Sequence, residues 1–198
     1  MIVLTADQRA SRRDSDRVDG ARALLGDLEW IRPPDRTAGD ELQAVTDSAQ
    51  TAVEAALALL TDGHWSVGIG VGPVELPLPT QTRAGRGHAF EAAREAVTAA
   101  KNAAVPVQVR GGDRGTAARA EAILSVLGHI VGRRTNEGKE VTALLRTGLS
   151  ITAAARQLGI SRQAASQRAA AAGWAVEPAG RALAVELLTE AAAARASV

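Results

Sequence analysis

Between Leu149 and Trp174 the chain reads LSITAAARQLGISRQAASQRAAAAGW, and this stretch limits the possible folds more than any other. Ile151, Ala154, Ala155 and Leu158 recur at helical spacing on one face, and Gly159 then supplies a residue that can leave a helix with positive φ. Ser161 is placed to cap the free amides of a following helix, in which Ala164, Ala165, Ala169 and Ala172 make a face of small side chains. Turned away from that face are Arg162, Gln163, Ser166, Gln167 and Arg168. They are hydrogen-bonding side chains long enough to reach base edges from a helix lying in the major groove.

The stretch resembles the helix-turn-helix of bacterial transcription factors, with Ala155 at the close-contact position, Gly159 in the turn and Ser161-Arg162-Gln163 opening the recognition helix. Such families carry a larger apolar residue where Ala165 and Ala169 stand, so this pair must pack closer or borrow bulk from Leu144 and Trp174. The competing reading is an ordinary alanine-rich helical hairpin. Charge separates the two. From Arg133 to Ala175 there are seven basic residues and only Glu137 and Glu140 against them, whereas the whole chain is at +1. A basic island confined to the motif is what phosphate neutralisation requires. Arg162, Gln163 and Gln167 are therefore expected at the bases, with Ser166 among the DNA-binding residues beside them, and Arg156, Ser161 and Arg168 at phosphates.

A chain of 198 residues holds one large domain or two small ones, and hydrophobic residues at 46% suffice for a core. With one Phe, three Trp and no Tyr, that core must be aliphatic and packed with small residues. The absence of cysteine excludes disulfides, thiolate zinc sites and cysteine nucleophiles. No basic leader precedes a long apolar run at the start, and nowhere do eighteen apolar residues run together, so the expected location is the cytoplasm with no membrane contact.

In chain order, Ile2 to Ala6 reads as a buried strand and Ser15 to Leu28 as a helix, after which Pro33-Pro34 should break any regular element. Arg36 to Val45 reads as a hairpin around Gly39-Asp40, and Ser48 to Leu60 as an amphipathic helix. Trp65 to Gly72 is a strand whose glycines leave one face bare, open to another backbone or to a ligand. A Pro- and Gly-marked loop follows, then a helix from His88 to about Asn102 and a strand from Val105 to Val109. This order predicts an α+β fold: one antiparallel or mixed sheet of ferredoxin-like type with helices on one face, over residues 1–112. Gly111 to Gly115 reads as a flexible boundary, and residues 113–198 as an all-α helix-turn-helix domain with the motif at 151–172. Its helices from Thr116 to Val131, Glu137 to Arg146 and Pro178 to Ala196 offer apolar faces, the first and last of them for dimerisation or for the chain's own core.

The words Ala6-Asp7, Thr37-Ala38-Gly39-Asp40-Glu41-Leu42-Gln43, Val67 to Gly72 and Gly87 to Ala96 resemble, in that order, the SatD family, which in turn looks related to the class III nucleotide cyclase and diguanylate cyclase fold. The resemblance implies that Asp7 and Asp40 match the carboxylates that hold divalent ions on a triphosphate, a role that needs two carboxylates because the ions neutralise both attacking and leaving oxygens. It also implies that Arg36 stands at a base-recognising position and Arg94 at that of a transition-state arginine, the four forming a nucleotide pocket. Two departures count against turnover. Phe90 replaces a ribose-orienting Asn, and Gln8 to Arg13 replaces a small-residue loop whose amides converge on phosphate. Asp at strand ends and turns is also favoured for local backbone bonding alone. His64, His88 and His129 show no metal-ligand spacing, and no nucleophile elbow is present.

The expectation is thus a cytoplasmic, homodimeric DNA-binding regulator without catalytic residues, resident cofactor or metal, whose first domain senses a ligand such as a nucleotide or assembles the protein. The alternatives are a nucleotide-binding or nucleotide-cyclising enzyme with an appended DNA-binding domain, and a partner-binding protein whose helices touch only protein.

Overall fold

A computed structural model describes residues 1–37 and 39–193. The fold is α+β. Among the described residues five strands, β1 (Ile2–Gln8), β2 (Arg32–Arg36), β3 (Glu41–Thr46), β4 (Trp65–Val71) and β5 (Val107–Gly111), form one sheet in the order β2-β3-β1-β4-β5. The pairs β1–β3, β1–β4 and β2–β3 are antiparallel and β4–β5 is parallel, so the sheet is mixed. The helices are α1 (Val18–Leu25), α2 (Ala49–Asp62), α3 (His88–Ala100), α4 (Arg114–Gly132), α5 (Asn136–Arg146), α6 (Ile151–Gln157), α7 (Arg162–Ala171) and α8 (Glu177–Ala193). The expected residues 194–196 of the last helix lie outside the described residues.

Alternation along β1 sends Ile2, Leu4 and Ala6 into the main core, with α1, α2, α4 and α8 above them, while Val3 faces the opposite side and packs with Phe90 of α3. The expectation of helices on one face is thereby corrected: α3 covers the other face. The cause lies in β4. A Cβ on Gly68 would sit 2.2 Å from the Val97 amide nitrogen, and one on Gly70 2.1 Å from the Ala89 carbonyl oxygen. What comes close to the bare face of β4 is therefore the backbone of α3.

The two prolines do not interrupt the sheet as expected. Pro33 and Pro34 lie inside β2, an edge strand whose pairing with β3 shifts between Arg32 and Asp35, so the missing amide hydrogens cost no ladder bond. At the other edge, Glu121 of α4 accepts from the Val109 amide at 3.0 Å and from Arg110 Nη1 at 2.7 Å, tying α4 to β5. Helix α1 starts three residues later than its pattern suggests, because Ser15 and Arg17 are held by the buried Gln8 side chain: Nε2 donates to the Ser15 carbonyl at 2.7 Å and the Arg17 amide donates to Oε1 at 2.9 Å.

The glycines at the end of β5 are no flexible linker. Gly111 and Gly112 pass so close to the Val71 and Ala191 carbonyls that a Cβ would lie within 2.0 and 2.2 Å of those oxygens, and Asp113 caps α4 directly. Packing groups α4 and α8 with the sheet, since Leu124, Leu127, Val131, Ala184 and Leu188 belong to the same core as Leu4 and Ile69. A second, smaller core is built from α5, α6, α7, the α6–α7 turn and Trp174. Among the described residues no helix is long and apolar enough to cross a membrane.

Candidate nucleic-acid interface

The α6–α7 pair is set by local signals. Ser150 caps α6 by accepting from the Ala153 amide at 3.2 Å, and Ser161 caps α7 by accepting from the Ala164 amide at 3.1 Å. Between them Gly159 takes φ +66°, its amide donates to the Arg156 carbonyl, and the Ile160 amide donates to the Ala155 carbonyl at 3.0 Å. This is a Schellman ending, which satisfies carbonyls that a helix leaves free. Gly173 at φ +71° and Trp174 close α7 in the same way.

Ala154, Ala155, Ala165 and Ala169 are buried where the two helices meet Val141 and Leu145 of α5, and the missing bulk comes from Leu144, Ile151, Leu158, Ile160 and Trp174 around them. With that face inside, Arg162, Gln163, Ser166 and Gln167 stand exposed on α7, Arg168 is half-buried, and Arg156 and Ser161 are exposed at the helix ends facing the turn. Among the described residues none of the arginines Arg156, Arg162 and Arg168 forms an ion pair. Near α7, the Glu137 carboxyl is held below its ordinary value by its own amide, by the Thr135 hydroxyl and by the charge of Arg168.

A buried ionic cluster fastens this pair to the sheet. Glu177, fully buried at the start of α8, binds Arg134 and takes Arg181 Nε at 2.7 Å, while Arg146 Nε lies 3.7 Å away. Arg181 Nη1 reaches Glu54 of α2 at 2.8 Å, and Arg134 Nε donates to the Ala172 carbonyl at the end of α7 at 2.9 Å. Burial alone would raise the Glu177 carboxyl, but hydrogen bonds and charge from Arg134 and Arg181 outweigh it and hold the group below its ordinary value. Burial and the nearby Arg181 lower Arg146. Sequence reasoning missed this cluster, because nothing local marks Glu177 as buried and its partners come from separate helices.

The residues expected to form a nucleotide pocket are only partly together. Asp7 and Asp40 line one open cleft of about 610 Å³ with Arg9, Arg12, Arg13, Ser66 and Lys101. Arg36 binds Asp16 at 2.7 Å instead, and Arg94 lines a separate cleft with Arg83, Arg86 and Phe90. Lys101, unforeseen from the sequence, bonds Asp7 at 2.7 Å. The length of α3 places it there, one residue past the end of the helix. No group of three or more His, Asp or Glu among the described residues is arranged to hold a metal ion.

Compared with protein families, with curated proteins and with solved structures, the chain matches none.

Proposed function

We propose that the protein is a sequence-specific DNA-binding regulator in which α6 and α7 act as a helix-turn-helix and α7 enters the major groove. The observation that carries this reading is the split character of α7: one alanine face sealed into a small core, the other presenting Arg162, Gln163, Ser166 and Gln167 to solvent. Helix interiors exposing only solvated polar groups are common, but here unpaired arginines flank the exposed face and few carboxylates oppose them. In this reading Arg162, Gln163 and Gln167 contact bases, with Ser166 beside them, and Arg156, Ser161 and Arg168 contact phosphates.

The first domain belongs to the same proposal as a ferredoxin-like, SatD-related unit without catalytic turnover. The βαββαβ order from β1 to β4, with β1 between β3 and β4, supports the ferredoxin-like assignment. Its effector would be a small anion such as a nucleotide, taken at the Asp7–Asp40 cleft. The protein works in the cytoplasm as a homodimer. The apolar faces of α4 and α8 are used inside the chain, which narrows the surface left for a second copy to residues such as Val126 and Leu183, 56% and 42% exposed. Two copies would bind half-sites about 34–36 Å apart.

The test starts from duplexes selected by the protein out of a random pool. Arg162→Ala with Gln163→Ala should cut the preference for selected over random duplex by a factor of ten or more, at about 1–3 kcal/mol per lost base contact, while leaving the fold intact. An unchanged ratio in the double variant rejects α7 as the reading helix.

The alternative, a nucleotide-processing enzyme, rests on Asp7 and Asp40 sharing a cleft. Nucleoside triphosphate turnover with manganese that disappears in Asp40→Ala would favour it.

A further inference from the structure

The unpaired positive charge does not stop at α7. Arg168 shares a cleft of about 450 Å³ with Arg133, at the joint between α4 and α5. Arg133 also lines a second cleft, of about 360 Å³, together with His129 and Arg9. Arg9 in turn lines the Asp7–Asp40 cleft beside Arg12 and Arg13. Each cleft hands one arginine to the next, so Arg168, Arg133, His129, Arg9, Arg12 and Arg13 form an unbroken line from the α7 face to the loop after β1. Apart from the half-buried Arg168 the other five are exposed, and among the described residues none of these arginines forms an ion pair.

The carboxylates nearby are mostly spoken for by other partners. Asp7 is bonded to Lys101, Asp14 to Arg17 and Asp16 to Arg36. Asp40 and Glu137 also line these clefts, so along the line positive charge exceeds negative. Two features make the line rigid. Residues 8–17 are pinned at both ends, by the Gln8 side chain and by the Arg9 amide donating to the His64 carbonyl at 2.7 Å. The Glu177 cluster fixes the α5–α7 unit to α2 and α8, so the two basic regions keep one mutual orientation.

Resting on the reading of α7 as the groove-entering helix, we propose that this line is a track for the sugar-phosphate backbone of the same duplex: the flank of the DNA leaves α7, crosses the α4–α5 joint and lies against the arginine loop of the sheet domain. The occupant is duplex DNA because the line starts at α7, because a duplex carries one phosphate charge per about 1.7 Å of its axis with both strands counted, and because exposed arginines in series match a repeating anion. The sheet domain would then bind DNA directly, adding affinity without sequence preference.

The experiment measures the affinity of the full chain for mixed-sequence duplexes of about 40 and about 12 base pairs, the shorter being roughly one helical turn, across a salt series. On the long duplex, Arg9→Ala with Arg12→Ala and Arg13→Ala should reduce the slope of log K against log salt by about 2.7, so that between about 50 and 200 mM salt the wild type loses about 40-fold more affinity than the variant. On the short duplex the two should behave alike, and the triple lysine variant should keep the full slope. A triple alanine variant with the wild-type slope on the long duplex overturns the track, whatever happens to nucleotide binding. A wild type with no salt-dependent duplex affinity at all overturns the DNA reading and the track together, whereas loss of the track alone leaves preference for selected sequences in place.

Discussion

Gly70 and Glu177 show what single residues do here. Gly70 stands where α3 lies directly on β4, and the atoms a Cβ would meet belong to backbone that cannot turn aside. Gly70→Ala should cost about 3 kcal/mol, the upper end of ordinary overpacking, read as a fall in the urea midpoint without a change in m. Glu177 lies among Arg134, Arg146 and Arg181 at the centre of the joint, and Arg181 also reaches Glu54. Among the described residues Glu177→Gln leaves Glu54, on Arg181, as the remaining carboxylate paired with these guanidinium groups, and should destabilise by about 3–5 kcal/mol. Because the folded carboxyl titrates below its unfolded value, its contribution is fully present above the ordinary glutamate range and disappears as pH falls through the lower, folded value. Acid unfolding followed from neutral pH downward should therefore lose part of its pH dependence in the Gln variant, and a variant with the wild-type acid profile would contradict this assignment.

At the scale of elements, the helices closed by local chemistry are those the sequence announces. Ser48, Ser150 and Ser161 each accept an amide three residues on, and Gly63 and Gly159 end their helices with positive φ. Ser161→Ala should cost about 1 kcal/mol and fray the first turn of α7, visible as faster amide exchange at Ala164 and Ala165; unaltered exchange would show that the cap carries no weight. What could not be read was non-local. Whether Pro33-Pro34 breaks a strand depends on which side of β2 has a neighbour, a property of the sheet order. The apolar stripes of α4 and α8 suit a second copy and the chain's own sheet equally well, and only packing shows that they lie on the sheet. Similarly the exposed side of α7 follows from its alanine spacing, whereas Lys101 against Asp7 and Arg133 between two clefts depend on elements distant in the chain.

For the whole molecule, the buried cluster linking Glu54, Arg134, Glu177 and Arg181 makes the helical pair and the sheet one body. A ligand in the Asp7–Asp40 cleft would alter DNA affinity only by its differential binding to the DNA-competent state, and by reciprocity DNA would alter its affinity by the same factor. The proposed dimerisation is separable from the proposed reading: Val126→Glu with Leu183→Glu should weaken self-association in sedimentation and leave half-site binding unchanged, whereas an unaltered association constant would move the proposed interface elsewhere. The central claim is that the exposed side of α7 reads sequence, and the most direct measurement is the affinity of the purified chain for pool-selected duplex relative to random duplex at a fixed salt near 150 mM, a value at which screening extends over about 8 Å. A preference of about a thousand-fold or more, removed by changing Arg162 and Gln163, is the predicted result; equal affinity for both duplexes would contradict it.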